Sequence, residues 1–128
     1  MRGKPTNKMF FSASNKNSGA DAEAKAEAFL VKQGLVKRTR NYRCKLGEID
    51  LIMQHKDTLV FVEVRLRSHQ GFANAAESVT IRKQQKIVNT AQYYLQQNQL
   101  TDKANCRFDV VAFGNSGEPD WIKDAFSV

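Results

Sequence analysis

Asp50 and Glu63 stand where a carboxylate asks for a chemical reason. Gly47-Glu48-Ile49-Asp50-Leu51-Ile52 and Val60-Phe61-Val62-Glu63-Val64-Arg65 are apolar runs divided by the polar His55-Lys56-Asp57-Thr58. Each reads as a β-strand, and each carries an acid in mid-run, where burial is costly unless something neutralises the charge. Side chains alternate along a strand, so Asp50 shares a face with Glu48 and Ile52, and Glu63 with Phe61 and Arg65. An even-length turn centred between Lys56 and Asp57 sets Asp50 opposite Glu63, with Cβ atoms about 5 Å apart. A three-residue loop would shift that register. Opposed carboxylates can share a proton, or both can ligate Mg²⁺ or Mn²⁺, which favour carboxylate and water oxygens. The plainer alternative is a structural ion pair of Arg65 with Asp50 or Glu63 at a sheet edge.

The elements around these strands follow from periodicity. Residues 20–33 form a helix whose Ala22, Ala26, Phe29 and Leu30 make a buried stripe, with Gly34 as its C-terminal cap. Glu23 flanks that stripe and Glu27 lies one turn on; either can be a solvated helix charge. Residues 35–44, 47–55 and 58–67 read as three strands, with Gly47 marking a bend or bulge. A polar loop runs to about Glu77. Residues 79–97 form a second helix, with Ile81, Ile87, Val88, Ala91, Tyr94 and Leu95 as its apolar stripe; Arg82, Lys83 and Lys86 lie on other faces, which read as solvated in preference to touching phosphate. Residues 106–113 make a fourth strand, and Trp121-Ile122 a short fifth, with Ala125-Phe126 packing the C-terminus onto the core. Asp109 lies in an apolar run and reads as structural. The order α-β-β-β-α-β-β describes an α/β domain with a mixed central sheet.

The chain has 128 residues, 41% of them apolar, enough for one domain with its own core. No stretch is long enough to span a bilayer, and Met9-Phe10-Phe11 is too short for a signal-peptide core. Cys44 and Cys106 lack metal or redox spacing; they read as reduced, small apolar residues of a cytoplasmic protein. The net charge is +7. Residues 1–17, a basic and disordered arm, hold Arg2, Lys4, Lys8 and Lys16 and no acid; residues 18–128 are the folded domain. Within the domain, Lys37, Arg38, Arg40, Arg43 and Lys45 surround Tyr42 without an intervening acid. Such a run suits a nucleic-acid backbone or a solvated edge strand that discourages aggregation. Beside a carboxylate pair the first reading gains weight.

Taken together, Gly19 and Ala22-Glu23, Arg40-Asn41-Tyr42-Arg43, the two strand motifs, Arg107-Phe108-Asp109-Val110-Val111 and Ala125-Phe126 resemble the small bacterial YraN-type family. Through it the chain is similar to the restriction-endonuclease-like superfamily, metal-dependent nucleases with a PD-(D/E)xK signature, and to archaeal Holliday-junction resolvases. The resemblance runs from about Gly19 to Phe126. It implies a restriction-endonuclease-like fold, with Asp50 and Glu63 as the acids that bind Mg²⁺ or Mn²⁺ and Glu23 as the helix acid that completes the set. Arg65 stands where the signature has Lys, and Arg67 is a second cation on that face. Arg remains protonated and offers a planar fork, so it can stabilise charge but cannot act as a base. The resemblance therefore implies a nuclease acting on DNA, branched or damaged DNA among its candidate substrates, or a nucleic-acid-binding module of the same fold that Arg65 leaves without activity. The resolvases' dimeric action leaves room for a homodimer.

Overall fold

The computed structural model describes residues 11–66, 79–114 and 118–127, with side chains from Gly19 onward. Helix α1 spans Phe11–Lys32, followed by strands β1 (Val36–Cys44), β2 (Gly47–His55) and β3 (Thr58–Leu66), helix α2 (Ile81–Gln97), and strands β4 (Asn105–Phe113) and β5 (Pro119–Phe126). The element order is the one the periodicity implies, but α1 begins at Phe11, well before residue 20. Residues 1–10 of the basic arm, and residues 67–78 with Arg67, lie outside the described residues. The strands form one mixed sheet in the order β1-β2-β3-β4-β5. Neighbours are antiparallel except β3 and β4, which run parallel. Parallel neighbours need a crossover, and α2 is that crossover.

The helices cover opposite faces of the sheet. Ala26 and Leu30 of α1 pack with Leu35, Leu51, Met53, Val60, Val62 and Val111. Gly34, at φ +99°, ends α1: the Leu35 amide donates to Leu30 O at 3.0 Å and the Gly34 amide to Val31 O at 3.0 Å. This is the paired closure that favours a residue without a Cβ. On the other face, Ile87, Val88, Ala91 and Tyr94 of α2 pack against Ile49, Ile52, Phe61, Phe108 and Val110. Thr80 caps α2, accepting from the Lys83 amide at 3.2 Å. Ile81, expected in the buried stripe, is 77% exposed, because it sits in the first turn beyond the edge of the packed face. Cys106 is exposed and Cys44 half-buried, so neither is the core residue its strand position suggested.

Asp109 explains why β5 is eight residues long and not a short stub. It is fully buried, and its carboxylate accepts from Arg107 Nε at 3.0 Å, Trp121 Nε1 at 2.9 Å and the Asp124 amide at 2.9 Å. Two of those donors belong to β5, so one buried acid fastens the last strand to β4 and has its own charge satisfied. Ala125 and Phe126 then reach the core, Phe126 stacking on Phe108 with ring centroids 5.2 Å apart.

Candidate functional site

The β2–β3 turn has the even length that the pairing of Asp50 with Glu63 needs. His55 pairs with Thr58, and the register continues through Gln54–Leu59, Met53–Val60 and Ile52–Phe61 to Leu51–Val62. The ladder stops there, one pair short of Asp50 and Glu63. On the other side of β2, Leu51 pairs with Arg40 and Ile49 with Tyr42, and Asn41, opposite Asp50, is left-handed at φ 56°. Asn tolerates that region better than most residues. The chain bends here: Ile49 and Ile52 lie in one core cluster although they are three residues apart, while Leu51 and Met53 lie in the other. Strict alternation along β2, which put Asp50 on the face of Ile52 and Glu48, therefore fails at Asp50 itself.

The bend frees the Asp50 carboxylate from the sheet. Its Oδ2 accepts from the Val64 amide at 2.8 Å, taking a hydrogen bond that the broken ladder would otherwise leave unmade. From there Asp50 comes within side-chain hydrogen-bonding reach of Glu63 and of Glu23 on α1. Glu23 also bonds the Asn41 side chain. Three acids from α1, β2 and β3 thus form a chain of contacts, Glu23 to Asp50 to Glu63. Among the described residues no three His, Cys, Asp or Glu side chains close into a metal-ligand cage; the contacts run pairwise.

Cations gather on Glu63. Its Oε2 is 3.4 Å from Lys83 Nζ on α2 and 3.5 Å from Arg65 Nη1. Glu63 is 5% exposed. Burial first, then the Asp50 charge beside it, push its carboxyl up to about 7, against the pull of Lys83 and Arg65. Burial also raises Asp50, opposed by the Val64 amide and Lys83. Glu23 is raised by burial and by Asp50. With its carboxyl raised to about 7, Glu63 is the member of the pair that can carry a proton toward Asp50 near neutral pH.

The other residues singled out from the sequence divide by place. Arg40 donates from Nη2 and Nε to Glu27 Oε1 at 2.7 and 3.1 Å, and Lys37 lies 3.9 Å from the other Glu27 oxygen. Arg38 donates to Gln54 at 3.3 Å, and Arg43 pairs with Glu48 at 3.1 Å with both side chains largely in solvent. The register sets Arg40 and Arg43 on either side of Asn41, with Lys45 in the turn beyond, at the acid end of the sheet; Lys37 and Arg38 lie at the other end. Lys37 and Arg40 meet on Glu27, while Arg38 and Arg43 engage separate partners. Lys83, read from the sequence as a basic residue of a solvated α2 face or a phosphate contact, stays 41% exposed and also stands beside Glu63. The available signal was Thr80: as N-cap it fixes Lys83 in the first turn of the helix that follows β3.

The profile of the Uncharacterised protein family UPF0102 matches residues 22–113. The chain belongs to that family. A UPF0102 protein of Saccharophagus degradans is 52% identical over 116 residues, covering 91% of this chain and 98% of the relative. Another from Methylobacillus flagellatus is 50% identical over 114 residues, covering 88% and 98%. One from Aeromonas hydrophila is 50% identical over 119 residues, covering 92% and 89%. The span matched to the family profile includes Glu23, Asp50, Glu63, Arg65 and Lys83, so every acid and cation of the cluster belongs to the family portion of the chain. No helix among the described residues is long and apolar enough to cross a membrane.

Proposed function

We propose that the chain is a metal-dependent nuclease-like protein of restriction-endonuclease-like fold that acts on DNA phosphodiesters, branched or damaged DNA among its candidate substrates. The observation that carries this reading is the Asp50–Glu63 contact, with Lys83 and Arg65 on the same Glu63 oxygen. A purely structural cluster gains little from two adjoining acids that burial drives toward protonation. A cluster made to receive a hard divalent cation needs them. The donors are all carboxylate oxygens, with no thiolate or imidazole, which suits Mg²⁺ or Mn²⁺ over Zn²⁺. Mg²⁺ usually takes one or two carboxylates and keeps several waters, so the absence of a closed three-residue cage is no obstacle. Asp50 and Glu63 would hold the ion, with Glu23 joining from the Asp50 side. When bound, it would supply Lewis-acid stabilisation of phosphoryl oxygens and lower the pKa of water.

The chain's own groups do the rest. Val64 N–H fixes the Asp50 carboxylate in place. Lys83 and Arg65 both place positive charge on Glu63, and a cation there meets the negative charge that a phosphodiester gathers during hydrolysis. In that reaction the oxygen of water bonds to phosphorus and the bond from phosphorus to the leaving ester oxygen breaks. The electron pair departs on that oxygen, which takes up a proton, and water gives one proton to solvent. Arg43 and Lys45, at the same end of the sheet, suit the flanking backbone without reading sequence.

Arg65 in the signature Lys position supports a second reading, a nucleic-acid-binding module with little hydrolysis. One assay separates the two. Supercoiled plasmid and a four-way junction are incubated with Mg²⁺ or Mn²⁺ and the protein, beside Asp50→Ala and Glu63→Ala. The nuclease reading expects metal-dependent nicking that both substitutions abolish. Salt-sensitive binding without nicking by the wild type would leave the module, and nicking that survives both substitutions would refute the assigned site.

A further inference from the structure

We infer that Lys83, reaching in from α2, and not Arg65 in the signature position, is the cation that contacts the phosphodiester at the Asp50–Glu63 pair. The inference rests on the nucleic-acid reading of that site. Both cations stand at one oxygen of Glu63, 3.4 and 3.5 Å away, but they are not equivalent. The Lys83 charge acts on both acids, whereas Arg65 acts on Glu63 less strongly than Lys83 does. Lys83 is 41% exposed, open to a substrate from the solvent side. It also borders a shallow pocket of about 210 Å³ lined by Gly47, Glu48, Lys83, Lys86 and Ile87. Lys83 links that pocket to Glu63, and the pocket lining adds a second ammonium group, Lys86, and the Glu48 carboxylate. A phosphodiester oxygen there would meet a compact, hydrated point charge on a flexible stem, which adapts to one oxygen better than a planar fork does.

The backbone that delivers Lys83 is tightly set. Thr80 fixes the first turn of α2. Farther along the helix, a Cβ at Gly47 would sit 2.9 Å from Thr90 Oγ1, so β2 and α2 approach as closely as glycine allows. Lys83 therefore occupies by tertiary placement the region that the signature fills from the β3 strand.

The test compares wild type, Lys83→Gln and Arg65→Gln by fluorescence-monitored binding to a labelled DNA duplex over a salt series without divalent metal, and by single-turnover nicking with Mn²⁺. Melting curves confirm that each variant folds. If Lys83 touches a phosphate, Lys83→Gln makes the slope of log affinity against log salt shallower by about one, and nicking falls about a hundredfold; Arg65→Gln leaves the slope unchanged. An unchanged slope in Lys83→Gln, or a change confined to Arg65→Gln, overturns the inference. A wild type that binds with the expected slope difference but never nicks removes the nuclease reading and leaves the Lys83 contact standing.

Discussion

Glu63 is buried against Asp50, and its two cations do not draw its carboxyl back to the ordinary range. With its carboxyl near 7 in the fold and in the ordinary range when unfolded, the folded state binds more protons between about pH 4.5 and 7. Stability from this group is full below that window and is lost as pH rises through it. The loss approaches a limit on the order of 3 kcal/mol, one pKa unit being worth about 1.4. Asp50 and Glu23, also raised, act in the same direction. His55 acts oppositely: burial and the Arg107 guanidinium hold it below its usual value, so it costs stability as pH falls. Comparing wild type with Glu63→Gln cancels His55. The substitution keeps the shape and removes the charge, so Glu63→Gln should melt several degrees above wild type at pH 8 without metal, and the gap should close by pH 5. Scanning calorimetry across pH checks this; a gap that is absent at pH 8, or widens toward pH 5, would show that Glu63 is ionised at no cost in the fold. The amino-acid order made these two acids legible as neighbours because the turn length set the register. It did not show the bend at Asn41 that releases Asp50, because one left-handed residue leaves no mark on the apolar pattern.

Strand β2 and helix α2 must pass each other at Gly47 for Lys83 to reach Glu63. The sequence pointed to a bend or bulge at Gly47; the physical demand is also a close crossing. Its φ of +150° and the 2.9 Å between a hypothetical Cβ and Thr90 Oγ1 both exclude a side chain. Thr90 is fully buried and donates to Lys86 O at 2.8 Å, so it cannot swing aside without orphaning its hydroxyl. Gly47→Ala should therefore destabilise the protein by about 1–3 kcal/mol, read from urea midpoints, and it should draw Lys83 away from Glu63 through the displaced helix. A midpoint equal to wild type would mean that α2 relaxes freely. The same distinction between local and tertiary signals governs what was legible elsewhere. Helix faces were readable where burial is repetitive, as at Ile87, Val88, Ala91 and Tyr94, and unreadable at Ile81, whose exposure depends on where the sheet ends. Strand β5 looked short because its length depends on Asp109, a contact made across the fold.

Across the whole molecule, the +7 charge does not form a uniform field. The acids lie where the carboxyl end of β3 meets the first turn of α2, the kind of crevice in which open α/β sheets place ligands. The cations of β1 fall at both ends of that edge strand. Those at the far end are engaged locally, Arg38 on Gln54 and Lys37 beside Glu27. At the acid end, Arg43 pairs with Glu48 in a geometry so exposed that solvent and salt leave it little strength, and it can exchange that partner for phosphate. Binding to duplex DNA should therefore follow position and not charge count. Arg43→Ala with Lys45→Ala should make the salt slope shallower by about one to two, one phosphate contact each, and lower affinity at every duplex sequence alike. Arg38→Ala, which removes the same kind of charge from the other end, should leave the slope where it was. Anisotropy titrations at four or five salt concentrations measure all three proteins against one labelled duplex. If Arg38→Ala changed the slope as much as the loss of Arg43, DNA would be held by diffuse positive charge, and a binding face centred on the Asp50–Glu63 pair would have to be abandoned.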